Sequence, residues 1–375
     1  MTTKTLARSD LEYINNGAAF FASGGGGNVA LTRQVIAKLC ESGGTIKVVD
    51  PLQVPDDALM CMTIILGSPD AELQDTERFR YAVMRSFELL NREAGVDMRF
   101  VMPGETGSIN MIVPMWLSAL SDITLVDCDS GGRSLPSLSE AIFAGQVPVK
   151  PMTFSNDIAN DEQATTLTAW PNSAEQADEL ARAVVGAQAF GQFAGMSVFL
   201  MDGATMKRLA VPNTLTMALG LGAALAQEQL QPSPDPARVV LDYLPRYRRR
   251  AWVLNRGAVV AMDKQTSGGF DFNTVTIRSD DGRTSTVISE NENVIVWDAD
   301  RAEPLAMAPD LISYVTPDCQ PLSNSDLREG IEIILIGSTA PQQIRVPHVI
   351  EPFLTTLKSF GYYGPYVPIE HLPKP

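Results

Sequence analysis

Two hydrophobic periods alternate along the first half of the chain, one typical of amphipathic helices and one typical of short buried strands. Helical spacing of apolar residues predicts helices over 10–20, 29–42, 75–93, 173–185 and 213–227. Short apolar runs between them predict strands over 45–49, 62–66, 98–102, 123–127, 165–170 and 197–201. Alternation of this kind is typical of an α/β fold in which helices cover a mostly parallel sheet.

The pattern changes after about residue 239, where short strands are separated by turns. Strands are predicted over 251–262, 272–278, 284–288 and 293–297, with a hairpin turn at 279–282 and a last helix over 350–360. A chain of 375 residues exceeds the usual size of one core, so we expect two domains. We place an N-terminal α/β domain at 1–165 and a C-terminal domain at 166–375, which is β-rich after about 239.

Charge narrows the classes of partner. The chain has 29 Lys and Arg residues against 44 Asp and Glu residues, a net charge of −15, which disfavours nucleic acid and anionic membrane surfaces. The N-terminus lacks the apolar core of a signal peptide, no apolar run is long enough to span a membrane, and the four cysteines are scattered. We therefore expect a cytoplasmic protein that binds a small molecule. The apolar segment 215–225 suits a homo-oligomer interface as well as it suits a core.

The first candidate site is the glycine run Gly24, Gly25, Gly26 and Gly27, followed by Asn28. Glycines let the backbone approach a ligand closely, and the first turn of the following helix offers unpaired N–H groups to an anion or carboxylate. The alternative is a turn at the start of a helix with no ligand. No nucleotide is expected, because the run follows a helix rather than a strand and lacks a Lys-Ser/Thr pair.

A second candidate lies just after the strand predicted at 123–127, where Asp127, Asp129 and Arg133 surround a glycine turn. Ligands of open α/β sheets bind beyond the carboxyl ends of the strands, and alternate residues of an extended segment point to the same side. Both aspartates are therefore candidate catalytic groups, and Arg133 is a candidate anion-binding group. The alternative is structural: Asp129 caps the turn and Arg133 neutralises Asp127.

The third candidate, Glu105 with Asn110, also follows a predicted strand. If Glu105 lies near Asp127 and Asp129, three carboxylates converge, which suits acid–base catalysis or a divalent metal. The alternative is that the acidic residues are dispersed. The two histidines, His348 and His371, have no partner at ligand spacing, which excludes a His-rich zinc site.

Together these motifs resemble the S-methyl thiohydantoin desulfurase family, which is associated with hydantoinase systems. The resemblance is carried by 10–17, 23–27, 105–110 and 126–136, and in the second half by 268–270, 291–292, 309–312 and 360–369. It implies an N-terminal α/β domain, a C-terminal β-rich domain and a planar five-membered cyclic imide or thioimide as substrate. The implied enzyme is a hydrolase or desulfurase that uses water activated by carboxylates or by a metal.

Two positions depart from the family pattern. Ser134 stands where an alanine is expected, and Ser137 stands where a glutamate is expected. A missing carboxylate leaves open a second interpretation, in which the chain is a non-catalytic small-molecule-binding or accessory protein of the same fold.

Overall fold

The computed structural model describes residues 2–67, 76–191, 193–267 and 270–374. Gly268 and Gly269 of the family resemblance, and Asp75 at the predicted start of a helix, lie outside these residues. The helices are α1 (Arg8–Phe21), α2 (Val29–Glu41), α3 (Phe79–Ala94), α4 (Ser108–Ile112), α5 (Met115–Leu120), α6 (Ala174–Gly186), α7 (Gly203–Leu209), α8 (Thr214–Gln229), α9 (Pro236–Tyr243) and α10 (Pro347–Ser359).

The strands form two large sheets and one short pair. The strands of the first half are β1 (Thr3–Thr5), β2 (Lys47–Val49), β3 (Leu59–Gly67), β4 (Phe100–Pro103), β5 (Thr124–Val126), β6 (Cys128–Asp129), β7 (Met152–Ser155), β8 (Thr166–Ala169), β9 (Phe193–Asp202) and β10 (Val211–Pro212). Those of the second half are β11 (Ala251–Ser267), β12 (Phe270–Arg278), β13 (Thr284–Glu290), β14 (Glu292–Asp298), β15 (Glu303–Met307), β16 (Leu311–Val315), β17 (Pro321–Leu322) and β18 (Glu332–Ser338).

The first sheet has the order β1-β2-β5-β4-β3-β9-β7-β8. Its inner strands β2, β5, β4 and β3 are parallel, whereas β1, β9, β7 and β8 join antiparallel. The predicted α/β class is confirmed, and the sheet is mixed, with a parallel centre and antiparallel strands at both sides. The sheet draws on residues up to Asp202, on both sides of the boundary that the sequence predicts at 165/166.

The second sheet is antiparallel throughout, in the order β15-β14-β13-β12-β11-β18-β16-β17. The predicted hairpin turn at 279–282 joins β12 to β13, and Gly282 adopts the positive φ of 90° that such a turn favours. Strands β15 to β18 were not predicted. Apolar and polar residues alternate less clearly along them, because β16 and most of β18 are buried on both faces.

Local signals explain where the helices near the cavity begin and end. The Asn28 side chain accepts from Leu31 N (2.9 Å) at the start of α2, and Ser173 accepts from Gln176 N (3.3 Å) at the start of α6. Helix α3 ends at Gly95 in the left-handed conformation. These are the ends that the sequence predicts for the three helices.

Helices α1 and α8 pack closely on one another beside the first sheet. A Cβ atom on Gly17 would lie 1.9 Å from the Ala218 carbonyl oxygen, so only glycine permits this approach. Leu215, Leu221 and Leu225 of α8 are buried within the chain. Over the described residues, no helix is both long and apolar enough to cross a membrane.

Candidate active site

A cavity of about 630 Å³ lies between the two domains, within the size range of small-molecule sites. The first sheet and the segments that pack around it contribute the glycine run, the end of β3, the loop after β4 and one face of α6. The second domain contributes β11, β12 and two loops that include Asn291, Glu292 and 323–325. A site built by both domains is sensitive to how they dock.

The predicted glycine run lies in this cavity, and residues of the second domain fix it there. Asn293 N donates to the Ser23 carbonyl oxygen (2.7 Å), and Asn324 N donates to that of Gly24 (2.7 Å). A Cβ atom on Gly25 would lie 2.0 Å from Glu292 Oε1. The absence of a side chain at Gly25 therefore makes room for the carboxyl group of Glu292.

Glu105 and Asn110 were predicted as a pair, and the structure brings them together at the cavity. Asn110 Nδ2 donates to Glu105 Oε1 (2.8 Å), and Leu135 N donates to Glu105 Oε2 (2.7 Å). Asn110 Oδ1 in turn accepts from Ile65 N (2.9 Å), which ties the pair to β3. Burial raises the pKa of Glu105, and the hydrogen bond from Asn110 is the largest effect that opposes it.

Glu292, the first residue of β14, places a second carboxyl group in the same cavity, and its side chain is only 4% exposed. Its Oε1 accepts from Ser134 Oγ (2.9 Å), whereas Oε2 has no hydrogen-bond partner within the described chain. Burial raises the pKa of Glu292 to about 8, and the negative charge of Glu105 adds to this shift. Because the pKa of Glu292 is raised to about 8, the pair retains a proton at neutral pH.

Asp127 lies outside the cavity and binds the first turn of α8. Its Oδ1 accepts from Leu215 N (2.8 Å) and Thr216 N (3.2 Å), and its Oδ2 accepts from Thr216 Oγ1 (2.5 Å). A carboxylate at the N-terminus of a helix satisfies otherwise unpaired N–H groups. The contacts of Asp127 are those of a residue that holds a helix.

Asp129 is fully buried beneath the loop that carries Glu105, and it does not line the cavity. It accepts from Thr106 Oγ1 (2.5 Å), Gly131 N (2.9 Å) and Gly132 N (2.6 Å). Burial raises the pKa of Asp129 to about 7 against these hydrogen bonds. Asp129 therefore shapes the turn, as the structural alternative has it.

Arg133 also lies outside the cavity, fully buried, and it joins the two domains. Its guanidinium donates to the carbonyl oxygens of Pro309 (3.0 Å), Asp310 (3.0 Å) and Asn293 (3.2 Å), and its Nε donates to that of Ser134 (2.9 Å). These acceptors occupy the donors that a ligand anion would need. Arg133 does not pair with Asp127 as the structural alternative proposes.

The three predicted carboxylates do not converge on one point. Over residues 2–67, 76–191, 193–267 and 270–374, no group of three or more His, Cys, Asp or Glu side chains is arranged to hold a metal ion. Among the described residues, the cavity is lined by four acidic side chains, those of Glu105, Asp178, Asp271 and Glu292, and the charge of Glu105 acts directly on Glu292.

Sequence reasoning missed Glu292 as a site residue, although Asn291 and Glu292 were among the residues that carry the family resemblance. It also treated Ser134 and Ser137 only as departures from a pattern. In the structure Ser134 is bonded to Glu292, and Ser137 lines the cavity. Only the contact between domains reveals these roles.

Most of the remaining cavity wall is apolar. Met62 and Ile64 of β3 lie against Gly104, where a Cβ atom would be 2.1 Å from Ile64. Phe79 and Phe193 stack with ring centroids 4.7 Å apart at the same wall. An apolar wall beside two carboxyl groups suits a small ring compound with few polar atoms.

The fold and the cavity define a two-domain α/β protein with a cavity between its domains. A family model described as the S-Me-THD-like N-terminal domain matches residues 9–165, and one described as the S-Me-THD-like C-terminal domain matches residues 172–369. The chain therefore belongs to the S-Me-THD-like family, which confirms the resemblance to S-methyl thiohydantoin desulfurases.

The chain is also similar to a solved structure. An X-ray crystal structure of a protein from Chromobacterium violaceum, from a structural genomics consortium, shares 26% sequence identity with it at a TM-score of 0.83. The similarity covers 98% of this chain and 100% of that chain. No curated protein sequence matches the chain.

Proposed function

We propose that the chain is a hydrolase or desulfurase that acts on a hydantoin- or thiohydantoin-like five-membered cyclic imide, bound between Glu105 and Glu292. The observation that carries this proposal is the pair of coupled carboxyl groups in the interdomain cavity, one of which has an oxygen without a partner. Buried polar atoms rarely lack partners, so Glu292 Oε2 is suited to a ligand N–H group or to proton transfer.

The different contacts of the two carboxyl groups support different roles. Burial favours the neutral form of both carboxyl groups, but Glu105 accepts two protein hydrogen bonds that favour its charged form, whereas Glu292 accepts one from Ser134 and its pKa is raised to about 8. A pair whose environments differ in this way provides one base and one acid near neutral pH. We assign Glu105 as the base and Glu292 as the acid.

For an S-methyl thiohydantoin the proposed reaction conserves every proton. Glu105 takes a proton from water as the new C–O bond forms at the ring carbon that bears sulfur. The C=N electrons move to the ring nitrogen, which takes the proton of Glu292. As the C–S bond breaks, the sulfur takes the proton held by Glu105, and the hydroxyl proton returns to Glu292. The products are a hydantoin and methanethiol, and both glutamates return to their starting forms.

The test is a panel of hydantoins, thiohydantoins and S-methyl thiohydantoins, with release of sulfide or methanethiol measured by a thiol reagent. We expect the wild-type protein to turn over at least one compound, and Glu105→Gln and Glu292→Gln each to lower kcat at least about 100-fold. The matched control, Glu88→Gln on the exposed face of α3, should leave kcat unchanged.

Binding of the product hydantoin, measured by calorimetry, distinguishes the accessory-protein alternative. Binding of panel compounds by the wild-type protein without turnover of any of them would favour the non-catalytic interpretation and contradict the proposed chemistry. Full activity in both glutamine variants would place the chemistry elsewhere.

A further inference from the structure

We propose that Ser134 is a positioning residue, whose hydroxyl group bridges Glu105 and Glu292 so that one of them acts as base while the other acts as acid. This inference rests on the proposed function for its catalytic meaning. The effect of Ser134 on the ionisation of the two carboxyl groups can be tested without a substrate.

The geometry that supports it is a two-residue segment that reaches both carboxyl groups. Ser134 Oγ donates to Glu292 Oε1 (2.9 Å), and the next backbone N–H, that of Leu135, donates to Glu105 Oε2 (2.7 Å). A hydrogen bond from the Ser134 hydroxyl also favours the charged form of Glu105. Residues 134–135 therefore offer hydrogen-bond donors to both members of the pair.

A hydroxyl group has one proton to donate and lone pairs with which to accept. It can donate to Glu292 Oε1 while Glu292 is ionised, and it can turn to donate to Glu105 and accept from Glu292 when Glu292 holds the proton. Two buried carboxylates close together cannot both ionise readily, so the pair keeps one proton over a range of pH. A hydroxyl group beside both carboxyl groups therefore stabilises the singly protonated state.

The position of Ser134 is well defined by its surroundings. The residue is fully buried, and its carbonyl oxygen accepts from Arg133 Nε (2.9 Å). The other charged groups that act on the pair are Arg133, which favours the ionised forms, and Glu140, which is electrostatically coupled to Glu292. Asp129 lies beyond Thr106 and is electrostatically coupled to Glu105.

The test replaces Ser134 by alanine and follows the titration of the glutamate carboxyl groups in the full-length protein without substrate. Infrared difference spectroscopy on protein with 13C-labelled glutamate reports this titration, and Glu105→Gln and Glu292→Gln assign the signals. A hydrogen bond to a charged group is worth enough to shift a pKa by about one unit. We expect the first ionisation of the pair to move up by about one pH unit in Ser134→Ala.

Ser313→Ala is the matched control, because Ser313 is also a buried serine, and its hydroxyl donates to the Phe20 carbonyl oxygen (2.6 Å) away from the cavity. We expect the two variants to lose similar thermal stability and only Ser134→Ala to change the titration. A titration in Ser134→Ala that matches the wild-type protein would overturn the proposal.

Turnover provides the second measurement. The acid limb of the kcat pH profile should move up in Ser134→Ala by the same amount as the titration, with KM changed less than kcat. If the acid limb of the kcat pH profile stays where it is in the wild-type protein while Ser134→Ala is folded and active, the proposed role of Ser134 in catalysis is wrong. A titration shift in a protein that turns over no member of the panel would support the bridging role and reject the proposed function, so the two failures are distinguishable.

Discussion

Two loops that follow neighbouring parallel strands both carry acidic residues and glycines, but their acidic side chains have different environments. The loop after β4 carries Glu105, and the loop after β5 carries Asp127, Asp129 and Arg133. Both lie at the carboxyl edge of the sheet, where ligands of α/β proteins usually bind. Glu105 of the first loop lines the cavity, whereas Asp127, Asp129 and Arg133 do not, although Ser130 and residues 135–138 of the segment after β5 do.

The difference comes from what covers each loop. The first turn of α8 binds Asp127, and the backbone at 309–310 of the second domain binds Arg133. In the loop after β4, Glu105 instead lies at the cavity wall, as does Glu292 of the second domain. Polar residues at the end of a strand are therefore available for chemistry only where they still line a cavity once the rest of the chain has packed around them.

The largest expected loss of stability is that of Arg133→Met, which tests whether Arg133 serves to hold the two domains together. In Arg133→Met, four carbonyl oxygens lose their donor, so we expect the free energy of unfolding to fall by about 3–5 kcal/mol. Chemical denaturation measures this loss. Arg301→Met, at a side chain that is 62% exposed, should change it by no more than about 0.5 kcal/mol. A stable Arg133→Met protein that has lost only ligand binding would contradict the supporting role.

A smaller loss is expected from Asp127→Ala, which removes the carboxylate at the start of α8. We expect a loss of about 2 kcal/mol in the free energy of unfolding, because two backbone N–H groups and one hydroxyl lose a charged acceptor. The comparison variant is Asp202→Ala, which removes a single acceptor from Thr205 N (2.8 Å) and should cost about 1 kcal/mol. Loss of turnover in folded Asp127→Ala protein would assign Asp127 to the chemistry instead.

The smallest change in the free energy of unfolding at neutral pH is expected from Asp129→Asn, and this change depends on pH. Burial raises the pKa of Asp129 from 3.8 to about 7, so the native state holds a proton that the unfolded state releases. Stability from this group is present at low pH and is lost as pH rises through about 7. Relative to wild type, Asp129→Asn should therefore gain about 1 kcal/mol per pH unit between about pH 4 and 7.

Urea denaturation at several pH values measures this gain. Asp57→Asn, at an exposed carboxylate, should follow the pH dependence of the wild-type protein. Parallel curves for Asp129→Asn and wild type would show that the pKa of Asp129 is not raised.

The sequence was sufficient for the elements whose pattern is local. Helix α3 has one apolar face and a glycine at its end, and Asn28 marks the start of α2, so spacing alone identifies them. Strands β16 and β18 lack alternation because both of their faces are buried. The pairing of β18 with β11 and of β16 with β18 depends on contacts between distant segments.

The residues of the candidate site also divide into those that local sequence predicts and those that only the folded chain reveals. The glycine run, Glu105 and Asn110 were predicted because each lies beside a recognisable element, and all of them line the cavity. Glu292 begins an ordinary strand in the other domain, and Ser134 lies in a turn, so nothing local marks either residue. Conversely, Asp127 and Arg133 carry strong local signals, and their partners on α8 and at 309–310 are visible only in the folded chain.

The most direct test of the central claim compares turnover of a single panel substrate by folded Glu105→Gln and Asp129→Asn proteins at neutral pH. The two variants each neutralise one carboxyl group in adjacent loops. We predict that Glu105→Gln loses at least about 100-fold in kcat, whereas Asp129→Asn stays within about threefold of the wild-type protein. Loss of turnover in Asp129→Asn with activity retained in Glu105→Gln would contradict the assignment of the site to the interdomain cavity.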